Sequence, residues 1–333
     1  MIVRRYCIGT LSAMVLLLDA AWLEAQVARL PAVDSPSEPY QQSEVSSEQA
    51  AGSGQRADHQ SSIINPDRPP DARDGAFQKV IFDSTWLDSG DAGGFGITQL
   101  ELKSVFGLPI PSRRSPLLVT PGFAVHYLEG PAGADLPPQV YEATVQYRWW
   151  KRFTPQFGID FSVTPGVFSD FQQGTDEAFR TPAHIAGQFE WTPAAKFIFG
   201  AAYLDRDDVN VLPIGGLVWT PREDLKLELV SPRPRIAHRV FWRGASTDEV
   251  QDWVYVAGEF GGGTWAIRRA AGADDVLTYR DFRLLLGLER KALGNLDARL
   301  EVGYVFSREI QYASSIPDIR PSDTVMLRAG LTY

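Results

Sequence analysis

The chain has little of what most chemistry requires. Its 333 residues include one cysteine, four histidines and three methionines. The lone Cys7 leaves no disulfide framework and no cysteine-ligated metal centre. There is no His-x-His and no HExxH. Lysine and arginine number 32 against 41 acidic residues, a formal net charge of -9, so there is no basic surface for general nucleic-acid binding. Beyond the N-terminus no apolar run approaches the ~20 residues a spanning helix needs, which excludes a membrane protein built of helices.

At the N-terminus, Arg4 and Arg5 precede the apolar stretch "YCIGTLSAMVLLLDAAWLEA", which closes on the small Ala25. This order reads as an export signal over residues 1–25. Residues 26–75 are rich in Ser, Gln, Pro and Asp and hold too few apolar side chains to offset the entropy of ordering, so they read as a disordered linker. After cleavage the mature chain would carry no cysteine.

What the remainder has is alternation. In "QVYEATVQYRWWKR" (139–152), Tyr141, Ala143, Val145, Tyr147 and Trp149 share one face, and Glu142, Thr144, Gln146 and Arg148 share the other. A period of two means a β-strand with one apolar and one polar face. The pattern recurs in "GITQLELKSVF", "PLLVTPGFAVHYLE", "TPQFGIDFSVTPGV" and "LDARLEVGYVF". A soluble β-sandwich would bury the aromatic face, whereas a membrane barrel would turn it to lipid. Compact and longer connections tend to alternate, and Trp149, Trp191, Trp219 and Trp242 sit where an apolar face meets a compact turn, as an interfacial girdle would. Residues 76–333 therefore read as an all-β transmembrane antiparallel β-barrel of about 14 strands, within bounds of 12 to 16. "TWAIRR" (264–269) falls in a long outer connection, 261–278, on this reading, because counting it as a strand breaks the parity.

The chain closes with "VMLRAGLTY", with Val325, Leu327, Ala329, Leu331 and Tyr333 on one face. A terminal strand ending in an aromatic resembles the C-terminal assembly signal of outer-membrane barrels. It implies outer-membrane lipid as surroundings and the barrel-assembly machinery as a partner through the strand ending at Tyr333. Three stretches, "GAFQKVIFDSTWL", "GITQLELKSVFGLP" and "WTPAAKFIFGAAYLDRDDVNVLPIGGLVWTPREDLKLELVSPRPRI", together resemble a bacterial family of outer-membrane β-barrels classed as a domain of unknown function. The resemblance implies the barrel over 76–333 and no activity.

Candidates for chemistry are few. His126 and His184 are expected on inner faces of separate strands, with no motif pairing either to a nucleophile, and His238 is expected outward. "DRDD" (205–208) and "GADD" (272–275) are acidic clusters without EF-hand spacing. "GEFGGG" (258–263) reads as a bend at a strand end rather than a phosphate loop. No catalytic residue, metal or cofactor is expected. The stronger constellation is the set of charged and polar residues assigned to the inner face: Lys103, Glu142, Gln146, Arg148, Asp160, Glu190, Glu228, Asp281, Arg283, Asp297, Arg299, Glu301 and Arg328. Such residues either select solutes by charge or pair internally and fill the barrel. On two neighbouring strands the inner positions turn apolar (Ile198, Ala202, Leu204, Leu212, Ile214, Val218), which suits a hydrophobic solute or a folded-in plug. The function expected is a passive channel or transporter for small solutes in an outer membrane, the alternative being a non-conducting structural or adhesion barrel that binds partners through its outer loops.

Overall fold

In the computed structural model the described residues are 75–333 apart from 91–93, 113–114, 132, 173–175, 245–248, 293–295 and 315. The expected signal segment and all of the expected linker but Gly75 lie outside them.

Sixteen strands form one sheet. They are β1 (Phe77–Leu87), β2 (Gly96–Ser112), β3 (Ser115–Glu129), β4 (Gln139–Arg152), β5 (Phe157–Val163), β6 (Gly166–Ser169), β7 (Phe179–Arg180), β8 (Ala183–Thr192), β9 (Ala195–Tyr203), β10 (Val211–Arg222), β11 (Leu225–Ser231), β12 (Arg235–Arg243), β13 (Val250–Arg268), β14 (Asp274–Ala292), β15 (Asp297–Tyr312) and β16 (Thr324–Thr332). Fourteen of them, all but β6 and β7, close a ring of antiparallel pairs, with β12 joined to β13 and β16 joined to β1. The short β6 and β7 lie where a connection over 168–182 was expected; β6 continues along the upper half of β4 beyond β5. The helical turn Asp176–Ala178 is the only one among the described residues.

Alternation sorts the wall. Phe82, Leu102, Phe123, Phe161, Ile185, Phe199, Leu229, Val256, Leu286, Val302 and Leu327 are exposed, while their polar neighbours Glu101, Lys103, Asp160, His184 and Glu301 are buried. A closed sheet satisfies its backbone internally and can therefore present this apolar band to hydrocarbon. At the rim of compact turns, Trp191, Trp219 and Trp242 are exposed, the last donating its indole N–H to Glu249 at 2.6 Å. Trp149 shares the outward parity of Tyr147 but is only half exposed.

The wall is uneven. β13 and β14 each run 19 residues, against 7 and 9 for β11 and β12. β12 accompanies β13 only as far as Ala257. Above that level β13 and β14 continue as a paired ribbon to Arg268 and Asp274, with β15 on the far edge of β14. The ribbon bends at Gly261–Gly263. Gly262 has φ of 116°, and a Cβ there would lie 2.0 Å from the Tyr279 carbonyl oxygen. Only glycine accepts both conditions. Opposite the bend, the β14–β15 register slips between Arg280 and Phe282, a local irregularity that sharpens curvature.

Bent in this way, the ribbon crosses the interior and meets the opposite wall. Ala266 pairs in parallel with Ser169 of β6, and the Arg268 N–H donates to Asp170 at 2.8 Å. The Arg269 guanidinium reaches Asp135 between β3 and β4 at 2.9 Å, and the Tyr312 hydroxyl donates to the Ala134 carbonyl at 2.6 Å. One apolar cluster packs Phe260 and Phe282 against Ala186, Ala202, Leu204, Leu212, Ile214 and Val230. The other gathers Trp265, Ile267, Leu277 and Tyr279 with Phe95, Leu128, Val140 and Phe168. Burying an aromatic side chain such as Trp265 or Tyr279 contributes about 4–6 kcal/mol before ordering entropy is subtracted.

Three expectations change. "TWAIRR" is the end of β13 inside the barrel and neither an outer loop nor an extra wall strand, because β13 keeps β14 as its partner throughout. The connection over 261–278 reduces to a turn at 269–273. "GEFGGG" bends a strand in its middle instead of ending it. The apolar inner positions on β9 and β10 face the ribbon, which covers them. Gly262→Ala should strain this bend by roughly 1–3 kcal/mol and unseat the ribbon, measured as faster proteolytic cleavage within 269–273. Wild-type resistance in the variant would contradict the glycine requirement.

Candidate functional site

The interior beneath the ribbon is charged, and nearly every charge has a partner. Glu301 and Asp281 are fully buried and Glu259 is 3 % exposed. Glu301 accepts from Arg233 and Arg328 at 2.9 Å each and from the Tyr255 hydroxyl at 2.5 Å. Glu259 accepts from Arg328 at 2.6 and 2.9 Å and from Arg283 at 3.0 Å. Arg283 also forks onto Asp281 at 2.7 and 3.0 Å. Three carboxylates thus meet three guanidinium groups across the foot of the ribbon (Glu259, Asp281, Arg283), the wall (Glu301, Arg328) and the β11–β12 connection (Arg233). In a low-dielectric interior an ionised group persists only with such partners.

The remaining residues assigned to the inner face form smaller pairs along the wall. Lys103 lies 2.5 Å from Glu101, and Glu142 lies 3.0 Å from His126, whose ring contacts Trp265 of the ribbon at 5.0 Å between centroids. Arg148 forks onto Asp160 at 2.9 and 3.0 Å. Glu190 joins Arg152 at 3.0 Å and Lys196 at 3.4 Å. Glu228 pairs with Lys226 at 2.9 Å, and Arg299 donates to Asp83 at 2.7 Å. Asp297 accepts from the Ala292 N–H at 2.7 Å near the turn rim, and Gln146 is half-buried on β4. His238 is half exposed beside Asp224.

Between the ribbon and the wall of β1 to β4 lies a cavity of about 130 Å³. Asp83, Thr85, Gln99, Glu101, His126 and Glu142 line it on the wall, and Glu259, Gly261 to Thr264 and Arg283 line it on the ribbon. Arg180, Arg206, Arg233, Arg299 and Arg328 complete it. Tyr255, Glu259, Arg233, Arg180 and Arg206 were not anticipated from sequence. Glu259 was hidden because it opens the glycine-rich bend, although extending the β13 alternation through Tyr255 and Ala257 points to it. The three arginines leave connections and the short β7, where no period exists to assign a face.

A second arrangement brings a histidine to a hydroxyl that no sequence motif paired with it. Ser162 stands opposite His184 in the β5–β8 register, and Ser162 Oγ lies 2.8 Å from His184 Nδ1. His184 Nε2 lies 3.5 Å from Asp160 Oδ2. All three side chains are buried, and the adjoining cavity measures about 10 Å³, room for about one water. The acidic stretch at 205–208 is likewise occupied by internal contacts: Asp208 takes both arms of Arg206 at 2.8 Å, and Asp205 accepts from the Thr181 N–H and the Tyr203 hydroxyl. Asp275 accepts from Arg269 and Ser314.

Arg328→Met should destabilise the barrel by about 3–5 kcal/mol, because Glu259 and Glu301 would then be buried with too few donors. Adding Glu259→Gln and Glu301→Gln should recover part of that loss in denaturant unfolding of the lipid-reconstituted protein. A cost below about 0.5 kcal/mol, the level of ordinary surface changes, would contradict the network.

No protein-family model matches the chain and no curated protein matches it. Among solved structures, the chain is similar to a bacterial polysaccharide outer membrane secretin, at 10 % identity over 77 % of this chain and 97 % of that one, with a TM-score of 0.38. It is also similar to the outer membrane protein opdK from Pseudomonas aeruginosa, at 10 % identity over 77 % and 97 %, with a TM-score of 0.28. A BenF-like porin from Pseudomonas fluorescens Pf-5 aligns at 8 % identity over 79 % and 99 %, with a TM-score of 0.29. Likeness at this level carries nothing about what the chain binds or moves.

Proposed function

We propose that this protein is an outer-membrane β-barrel channel for small polar solutes, held narrow by its own β13–β14 ribbon. The observation that carries the reading is the charged cavity beside the ribbon. A barrel closed for structural reasons alone would be filled by apolar packing on both sides of the ribbon, as it is against β8 to β11. On the side of β1 to β4 the tip of the ribbon also packs on apolar residues, among them Leu128 and Val140, but beside that contact a space stays open and is lined by charged groups. The outer membrane is proposed because the apolar band is carried by strands, the chain starts with an export-like segment, and it ends in a strand bearing the exposed Tyr333. That strand is also the proposed contact with the barrel-assembly machinery.

The occluding ribbon favours a second reading, a non-conducting structural or adhesion barrel. Planar-bilayer recording separates the two. The refolded wild type should give small discrete conductance steps. A variant in which Gly262 is joined to Arg280 by a short Asn-Gly turn should give larger ones. Two silent proteins that nonetheless insert would sink the channel reading and leave the structural barrel.

We further propose that Ser162, His184 and Asp160 are an interior polar cluster and not a hydrolytic site. The one-water cavity beside Ser162 leaves no place for an ester carbonyl. A fluorophosphonate probe should leave Ser162 unlabelled in the folded protein; labelling abolished by Ser162→Ala would contradict this.

A further inference from the structure

Two dry contacts hold the ribbon. At its tip Trp265 and Ile267 pack with Phe95, Leu128 and Val140, and nearer its foot Phe260 and Phe282 pack on β8 to β11. Between these contacts runs the stretch of β13 from Gly261 to Thr264, beyond the reach of β12. Here the cavity extends to the low rim at the end of β9, where Leu204, Asp205 and Arg206 line it.

Arg206 spans this gap. It is 2 % exposed, while Asp207 beside it is exposed. Its Nη2 donates to the Tyr279 carbonyl, at the glycine bend, at 3.3 Å, and its guanidinium lies 5.6 Å from the centre of the Phe260 ring. Its tighter hold is on its own loop. Nε and Nη2 each donate to Asp208 at 2.8 Å, and Val209 packs that loop on the apolar cluster of β8 to β11. A forked guanidinium–carboxylate pair outweighs one bond to a carbonyl, so the contact to the ribbon is the one that parts first. A permanent seal needs no charge here, because an apolar side chain would fill the place without desolvating an ion pair. A paired arginine suits a place that is dry when closed and wet when open.

We propose that Arg206 is the stopper of the solute path, which leaves the cavity around the edge of β13 and not past the ribbon tip. With its guanidinium on the Tyr279 carbonyl the outer mouth is narrowed. When the guanidinium moves away with Asp208, the cavity opens to the outer face beside Asp207. The inference rests on the channel reading and names the residue that limits passage.

Planar-bilayer recording of the refolded full-length protein tests it. Arg206→Ala combined with Asp208→Ala removes the pair together and leaves no orphaned carboxylate. It should raise unit conductance about twofold or more, as clearing a side chain from a constriction does. Arg269→Ala, which loosens only the tip, should leave conductance unchanged. An exposed substitution tests the path without touching the pair. With Cys7 replaced by serine, a bulky methanethiosulfonate adduct on Asp207→Cys should lower conductance, and the same adduct on Ala271→Cys at the ribbon turn should not. Wild-type conductance in the double variant, with the heat-modifiable mobility of a folded barrel retained, would overturn the stopper. A rise on Arg269→Ala, or block from Ala271→Cys but not from Asp207→Cys, would overturn it as well. The channel reading fails separately. Silence of the wild type, the double variant and the barrel lacking its ribbon would end the channel, whereas a conducting wild type beside an unchanged double variant loses only the stopper.

Discussion

A backbone in hydrocarbon has no water to satisfy its N–H and C=O groups, so a sheet there must close on itself. Everything else in this molecule follows from that closure and its cost in volume. A ring of about eight strands can be filled by its own inward side chains, and a wider ring cannot. With fourteen strands in the wall, this barrel encloses more space than Glu142, Arg148 or Asp160 can occupy. The chain fills it with two of its own strands, carried past the end of β12 and turned inward at Gly262.

That solution sets two different interiors. Against β8 to β11 the ribbon is apolar and the wall answers with Leu212, Ile214 and Val230, giving a dry contact that packing alone holds. Toward β1 to β4 its tip packs on Leu128 and Val140, while the space beside that contact is bounded by charge and stays open. The network of Glu259, Glu301, Asp281, Arg233, Arg283 and Arg328 sits at the junction of the two, pinning the foot of the ribbon to wall strands and to the β11–β12 connection. A buried network of this kind is weak as a source of net stability, but removing a single member leaves an expensive orphan. It therefore specifies where the ribbon sits more than how tightly the barrel holds.

Much of the wall was legible in the sequence because a period of two is a local property. Tyr147 against Arg148, or Leu300 against Glu301, declares its face without knowledge of any partner strand. The ring count followed from the same pattern. The ribbon was not legible, because β13 keeps its alternation beyond Gly262 while the surroundings of its two faces change. Phe260 has the parity of the lipid-facing Val256 yet is 2 % exposed, and only the low rim of β11 and β12, a tertiary fact, explains why. Ser162 and His184 escaped notice for a related reason: they lie in different strands, and their contact exists only once the β5–β8 register is set. Arg180, Arg206 and Arg233 sit in short or irregular segments, where spacing carries no directional information.

The account stands on the ribbon crossing the barrel and holding the far wall, and one distance tests that most directly. The sequence has a single native cysteine, Cys7. With it replaced, nitroxide labels can be placed at the exposed Ala271 on the ribbon turn and the exposed Pro138 in the β3–β4 connection. Pulsed electron–electron resonance in lipid should give one short, narrow distance distribution, because Arg269 holds Asp135 beside both sites. A long or broad distribution would mean that the ribbon stands clear of the lumen, and the occluded barrel with its charged cavity would then be the wrong description.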